Sequence, residues 1–573
     1  MHQGWQTSTP TSAATSAHVQ APPGPRAARG KGGAGRAQVR SAEHGPGVGS
    51  YLCGLVLLVA AAGCARLSGL DRFETDSSST GGDGGGGSGG SGGGTPAECV
   101  PSLSSGAVDE SCGVWVSRSK GDDGNDGSRS APMASLHAAL EKAVADKRRV
   151  YACAEVFEEA VEVPAGVTLF GGLDCDAGGV WRDGLKTTVQ GPADVPALRL
   201  LAGAERSTTL DDFVIRAPDA VTPGASSIGV LAAEVSATLT RCEVVAGNGA
   251  AGAAGAPGAE PAMPGDPIPQ AAGGAAGNAG VNACSGTLGP NATLAGGAQV
   301  TSTCEGQDMS IGGKGGDGAV TMGMDGEAGV VGTLGEPGTG EPATGTGWAC
   351  IPEGGFANPG SPGTDGEPGL GGTGLGTLSP DAGYVGVSGS SGTAGKPGQG
   401  GGGGGGAKGL ANCGGNMPGA GASGGSGGGG GCGGKPGQGG GAGGSSIALV
   451  SVNAQLTLNA CTLQAGNGGN GGAGGDLQAG GAGGDGGDGG ESVGLANDAC
   501  DGGNGGKGGR GGPGGGGSGG HAFSIAYRGT AVVTSGDGRL LQGTAGVGGP
   551  GGDADAALNS GSAGFTVNEQ EFP

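Results

Sequence analysis

Two stretches of this chain, 219 residues apart, follow one pattern, and that repeat limits the fold more than any other feature. Residues Ser226–Gly249 read SSIGVLAAEVSATLTRCEVVAGNG, and Ser445–Gly468 read SSIALVSVNAQLTLNACTLQAGNG. Ser-Ser-Ile, Thr-Leu, Cys and Ala-Gly-Asn-Gly fall at the same offsets with no gap. A weaker third copy begins at Phe523 and aligns through Ile525 with Ile447 and through Gln542 with Gln464. Units of about 20 residues with two or three short strands cannot bury an apolar face singly, so they stack as coils. In that arrangement Leu239 and Leu458 point inward, and Thr240 and Asn459 turn a corner. Cys242 with Val244, and Cys461 with Leu463, then point inward again.

Further coils precede the first copy. Ala134–Lys147 predicts one amphipathic capping helix, with Leu136, Leu140 and Val144 on one face. From Val150 the period changes to short strands: VYACAEVF, AVEV, VTLFGG, TTVQG, ALRLL and TLDDFVIRA, separated by Pro, Gly or Asp turns. The expected fold is therefore mainly β, a parallel β-helix or solenoid with a helical cap and long glycine-rich insertions. Residues 99–249 form cap and coils, 250–444 a first insertion, 445–468 a coil, 469–520 a second insertion, and 521–573 the last coils. Loop-closure entropy rises slowly with length, so a solenoid tolerates both insertions.

Glycine supplies 151 of the 573 residues. Gly-Gly-X runs at Asn467–Asp476, Gly480–Gly490 and Gly502–Gly519 permit three-residue-per-turn helices of the polyproline II kind, with glycine where neighbours approach closely. Disorder is the rival reading, because glycine has the most conformational freedom to lose. Cys284, Cys304, Cys350, Cys413, Cys432 and Cys500 lie within the insertions and favour some order. Gly360–Gly372 is collagen-like but far too short for a triple helix, so it reads as low complexity.

Tyr51–Cys64, YLCGLVLLVAAAGC, has the length of a secretory apolar region and is too short to span a bilayer as a helix. Small residues precede Cys64, which resembles a bacterial lipobox: cleavage between Gly63 and Cys64, with Cys64 carrying lipid. Residues 48–63 are then a lipoprotein signal peptide and 64–98 a Gly/Ser-rich tether. Residues 1–47 have no apolar pattern and read as disordered or as a start placed too early. Beginning at Val39, with Arg40 as the positive region, would give a leader of ordinary length. Ala65 follows Cys64 where an Asp would signal retention, so outer-membrane delivery is expected by analogy.

Charge narrows the partners. The chain carries −23, and residues 1–63 hold five basic groups against Glu43, so the remainder carries −27. Such a surface disfavours nucleic acid and binding of anionic lipid by charge. Removing Cys53 and Cys64 leaves twelve cysteines, an even number that allows up to six disulfides in an oxidising compartment. Cys153 and Cys175, about one coil apart, are expected to bond. Cys242 and Cys461 stack at equivalent positions, either bonded or as small apolar residues.

The helix, the run VYACAEVFEEAVEVPAGVTLFGGLDC, the repeated SSIGV…TL..C.V.AGNG and the glycine tracts resemble the glycine-rich, PGRS-like surface lipoproteins of large-genome Gram-negative bacteria. That resemblance implies a pectin-lyase-type right-handed parallel β-helix. It implies no activity, and the PE domain of PE-PGRS proteins is absent.

Parallel β-helices often host polysaccharide lyases and hydrolases, and Asp211-Asp212 with Arg216 and Arg241 is the best catalytic candidate. The companion Asn-x-Asp and Gly-His-Gly motifs are missing, and Arg-x-Lys occurs only at Arg118–Lys120, ahead of the coils. A solvated rung corner is the expected reading. Asp476, Asp485, Asp488 and Asp501 lie among glycines but lack the apolar position of calcium-binding nonapeptides, leaving weak cation attraction. G-x-G-x-x-G and G-x-S-x-G matches, such as Gly421–Gly425, follow from glycine abundance alone. Trp115, Trp181 and Trp348 are too dispersed for a sugar groove.

The expected role is that of a non-catalytic envelope protein, held to the membrane by lipid, structural or adhesive toward polysaccharide or protein. No cofactor or metal is expected. The alternative is a polysaccharide-binding or polysaccharide-cleaving β-helix.

Overall fold

The computed structural model describes residues 97–573 except 147–148, 264–265, 333 and 554–558. Residues 1–47 and 48–63, the pair Gly63 and Cys64, and all but the end of the 64–98 tether lie outside the described residues. Within them the protein is mainly β, and Leu136–Asp146 is the one α-helix. Its parallel sheets are consistent with a β-solenoid-like fold.

Three parallel sheets form the body. The first joins Gly113–Val116, Arg149–Cys153, Thr168–Asp174, Gly203–Asp211, Val235–Thr240, Gln455–Asn459 and Val533–Ser535. The second joins Val156–Phe157, Thr187–Gln190, Phe213–Ala217, Glu243–Ala246, Thr462–Gln464 and Arg539–Leu541. The third joins Val161–Val163, Leu198–Leu200, Ser227–Ala233, Ser446–Val452, Ala522–Arg528 and Thr566–Glu571. From Arg149 onward the chain visits the three in turn, so each strand pairs with the strand one circuit away.

That register builds an aliphatic ladder in each sheet. Leu169, Leu210, Leu239 and Leu458 stack in the first, Val189, Ile215, Val244 and Leu463 in the second, and Leu198, Val230, Leu449 and Ile525 in the third. All are buried in one apolar cluster. Each such side chain stabilises the fold by about 1.5–3 kcal/mol relative to exposure. Ile228 lies opposite Ile447, as the repeat requires.

Three expectations need correction. TLDDFVIRA is two strands in different sheets, because Asp212 adopts a left-handed backbone (φ 62°) and turns the corner. Arg241 (φ 51°) and Ala460 (φ 52°) turn the same corner on later circuits. In the third copy Phe523, not Ile525, lies opposite Ile447, and Leu541, not Gln542, lies opposite Gln464. Finally, the helix buries Leu136, Ala139, Leu140 and Ala143 and leaves Val144 49% exposed. Small alanines let its axis approach the sheets more closely than a leucine stripe would.

The glycine tracts are ordered. All leave from the corner between second and third sheets: Ala246 to Ser446, Gln464 to Ala522, and a third, shorter excursion, Leu541 to Thr566, within the segment expected to be coils. Their amides and carbonyls pair between tracts at every third residue. Gly469 and Gly472 donate to the carbonyls of Gly444 and Gly441, both at 2.8 Å, and the series continues to Gly490 on Ser423. Gly425, Gly428 and Gly431 donate instead to Cys500, Gly503 and Gly506, whereas Ser426 and Gly429 donate to Asn278 and Ala275. Successive residues thus face different neighbours, as three residues per turn demands. Over the 21 steps from 469 to 490 the pairing spans about 65 Å at ~3.1 Å per residue.

The interior of this bundle contains almost no side chains. Residues 419–434 are buried without a break. A β-carbon on Gly425 would fall well inside contact distance of the Gly487 carbonyl oxygen. Ordering a residue's backbone costs about 1–2 kcal/mol, and a net hydrogen bond returns about 0.5–1.5 kcal/mol. By these figures hydrogen bonding alone falls short of the ordering cost, so the ends of the lattice must be held.

Two side-chain columns hold the end at the sheets. Where tracts depart, Asn248 accepts the Asn467 N–H (2.8 Å) through Oδ1, and Asn467 accepts the Thr544 N–H (2.9 Å) likewise. Where tracts return, Ser226 Oγ accepts the Ser445 N–H (2.9 Å), Ser445 Oγ the His521 N–H (2.8 Å), and His521 Nδ1 the Phe565 N–H (2.8 Å). His521 Nε2 lies 3.2 Å from the Leu375 carbonyl, so the ring is neutral with its proton on Nε2. Its ring lies between Phe523 and Phe565, and burial pushes its pKa down to about 4.

Gly274→Ala should lower stability by about 1–3 kcal/mol, since its β-carbon would strike the Gly429 carbonyl. Its neighbour Gly273 has only ordinary contact, 3.5 Å from the Ala482 carbonyl oxygen. Gly273→Ala should stay within about 0.5 kcal/mol in the same denaturant titration. His521 binds its proton less readily folded than unfolded, so its contribution holds above pH ~6.5 and is lost as pH falls toward 4. Thermal melts should show this loss, at most about 3 kcal/mol, and His521→Gln should abolish that part of the pH dependence.

Candidate functional site

The acidic corner is built by backbone geometry. Asp211 closes a first-sheet strand, Asp212 turns the corner, and Arg241 occupies the same corner one circuit later. Arg241 donates from Nε to Asp212 Oδ1 at 2.9 Å and from Nη2 to Oδ2 at 2.8 Å. Trp181 Nε1–H donates to Asp212 Oδ2 at 2.7 Å, and the Arg241 guanidinium sits 5.6 Å over the Trp181 ring. Lys186 Nζ donates to the Arg241 carbonyl.

Asp212 is only 4% exposed, so the corner is not solvated as expected. Arg241 and Trp181 thus engage both its oxygens. Asp211 Oδ1 is buried without a hydrogen-bond partner, and burial raises the Asp211 pKa against the attraction of Arg241. Arg216 lies exposed on the second sheet and does not join the cluster. The arrangement is a clamp: it fastens the short Val180–Trp181 strand over the turn.

The cysteines sort by position. Cys153 is bonded to Cys175, and Cys99 to Cys112. Cys284–Cys413, Cys304–Cys432 and Cys350–Cys500 tie glycine tracts to one another. That makes five bonds where six were allowed. Cys242 and Cys461 remain thiols, although they meet: the Cys242 N–H lies 3.4 Å from Cys461 Sγ. Cys461 Sγ donates to the Leu239 carbonyl at 3.3 Å and Cys242 Sγ to the Leu210 carbonyl at 3.5 Å, so each closes its corner one circuit back. Hydrogen bonding to Cys461 and burial push the Cys242 thiol well above its ordinary pKa, which keeps it unreactive.

Among the described residues no group of three or more His, Cys, Asp or Glu could hold a metal ion. Asp476 Oδ1 accepts the Asp553 N–H and Asp501 Oδ1 the Gly489 N–H, so these acids cap open amides at the bundle surface. The Asp485 and Asp488 side chains are exposed. Trp115 is buried on Tyr151, Trp181 is clamped, and Trp348 lies at the far end of the bundle. The three do not share a groove.

That far end is the feature sequence reasoning missed. Four loops meet there: 285–293, 342–356, 408–419 and 492–498. Cys284–Cys413 joins the first to the third, and Cys350–Cys500 the second to the fourth. Glu341 ties the pairs together, accepting from the Lys408 N–H at 2.8 Å and from Asn497 Nδ2 at 2.9 Å. Closing loops of 129 and 150 residues, each disulfide is worth about 4–5 kcal/mol on chain-entropy grounds. The cysteine spacing was visible, but only the tract pairing brings the loops to one end.

Comparison with protein-family models, with curated proteins and with solved structures finds no match.

Asp212→Ala should destabilise by about 2–3 kcal/mol, because Arg241 and Trp181 lose their acceptor and Arg241 keeps some access to water. A urea titration would read it; an unchanged midpoint would show that the clamp carries no stability.

Proposed function

We propose that this chain is a lipid-anchored cell-envelope protein with a non-catalytic, structural or adhesive role. Its body is a right-handed parallel β-helix, and its glycine bundle is an arm that displays loops. The observation that carries this reading is the arm: about 65 Å of lattice held mainly by backbone hydrogen bonds and ending in loops joined by disulfides. A lattice of that kind has no chemistry of its own. What it supplies is reach and stiffness.

Other features support the reading. Five disulfides fit an oxidising compartment, as export through the Tyr51–Cys64 segment requires. The cycle through three parallel sheets and the capping helix support the β-helix. Delivery to the outer membrane rests on Cys64 followed by Ala65. Polysaccharide cleavage is the weaker reading, because Arg241 and Trp181 engage the carboxylate that would have to act.

Expressed full-length in a Gram-negative host, the protein should incorporate labelled palmitate, and Cys64→Ser should lose both label and membrane association. A panel of acidic and neutral polysaccharides should show no turnover. Turnover abolished by Asp212→Ala would overturn the non-catalytic reading.

A further inference from the structure

The loops at the end of the arm carry exposed apolar side chains and exposed acidic ones. Ile351 is 52% exposed, Phe356 42%, Met417 46% and Val493 48%, and Leu495 stands fully free of its neighbours. These residues lie on loops that the disulfides and Glu341 bring to one end, and exposed apolar side chains on adjoining loops mark an interaction surface more often than isolated ones do. Their supports are fixed: both disulfides and Glu341 hold the loops, and Asp498 Oδ1 accepts the Ser492 N–H. The backbone is therefore arranged in advance, which lowers the ordering cost of binding.

Charge selects the partner. Glu353 and Glu491 are exposed beside the apolar residues, and Asp485 and Asp488 continue the acidic surface down the arm. Lys408 is the one basic residue in the four loops, and its Nζ donates to the Ala343 carbonyl at 2.6 Å. An anionic lipid or an acidic polysaccharide would meet repulsion here. A segment with an apolar face and flanking lysines or arginines would meet both halves of the surface at once.

We infer that the loop cluster at the end of the arm is a docking site for a cationic, amphipathic protein segment. Apolar side chains of the partner pack between Ile351, Phe356 and Leu495, and its basic groups face Glu353 and Glu491. This rests on reading the arm as a display device, and the two ideas fail separately. Circular dichroism and proteolysis of the same samples report the arm, whereas binding reports the site.

The probe is a fluorescent synthetic helix with one leucine face and one lysine face, titrated into the full-length protein. Saturable binding that weakens with salt is expected. Leu495→Asp combined with Ile351→Asp should reduce affinity about tenfold or more, as truncating hot-spot residues does. Both residues are exposed, so folding should persist. Glu353→Gln with Glu491→Gln should flatten the salt dependence. Equal binding by the Leu495/Ile351 variant, or by a helix with serine in place of leucine, would overturn the proposal. So would binding to neutral phosphatidylcholine vesicles with none to the helix.

Discussion

Amide-to-carbonyl hydrogen bonds between glycine helices, packed too closely for a β-carbon, are the interaction on which the rest of this structure depends. At Gly425, Gly428 and Gly431 the approach of a neighbouring carbonyl excludes any other residue. A core without side chains gains little from apolar burial, so its strength lies in leaving no buried backbone group unpaired. Each broken bond would strand two polar groups, which makes the lattice cooperative. It also makes it dependent on anchors.

The anchors are conventional side chains at the two ends. Near the sheets, the side chains of Asn248 and Asn467, then of Ser226, Ser445 and His521, each accept one backbone N–H from the next circuit. The third sheet adds an apolar seam: Ile228, Ile447 and Phe523 lie under Leu378 and Tyr384 of the first excursion. At the far end, disulfides do the same work over a few residues. The Asp212–Arg241–Trp181 clamp belongs to this group as well, holding a turn.

Much of the body could be read from residues, because a period of two and a repeated 24-residue unit report directly on strands in a stack. Ile228 opposite Ile447 follows from the gapless repeat. The third copy slipped because a weak match does not fix register: Phe523 and Ile525 are both apolar and two apart. Asp212 falls inside a strand pattern in TLDDFVIRA, since a left-handed residue leaves no mark when it is not glycine. In the glycine tracts, the Gly-Gly-X period permits three residues per turn beside the rival reading of disorder, and it does not say which tract neighbours which. Side chains choose partners, and glycine has none. Asn in the Ala-Gly-Asn-Gly motif and the Ser-Ser-Ile start were the available signals, visible as repeats before their hydrogen bonds gave them a purpose. The loop cluster was hidden for the same reason, since its members are scattered from residue 285 to residue 498.

Amide hydrogen exchange across residues 420–444 and 499–520 tests the central claim most directly. An interlocked lattice predicts slow exchange through both segments, lost together when the arm opens. Exchange at unstructured-chain rates in these segments, with the sheets still protected, would contradict it.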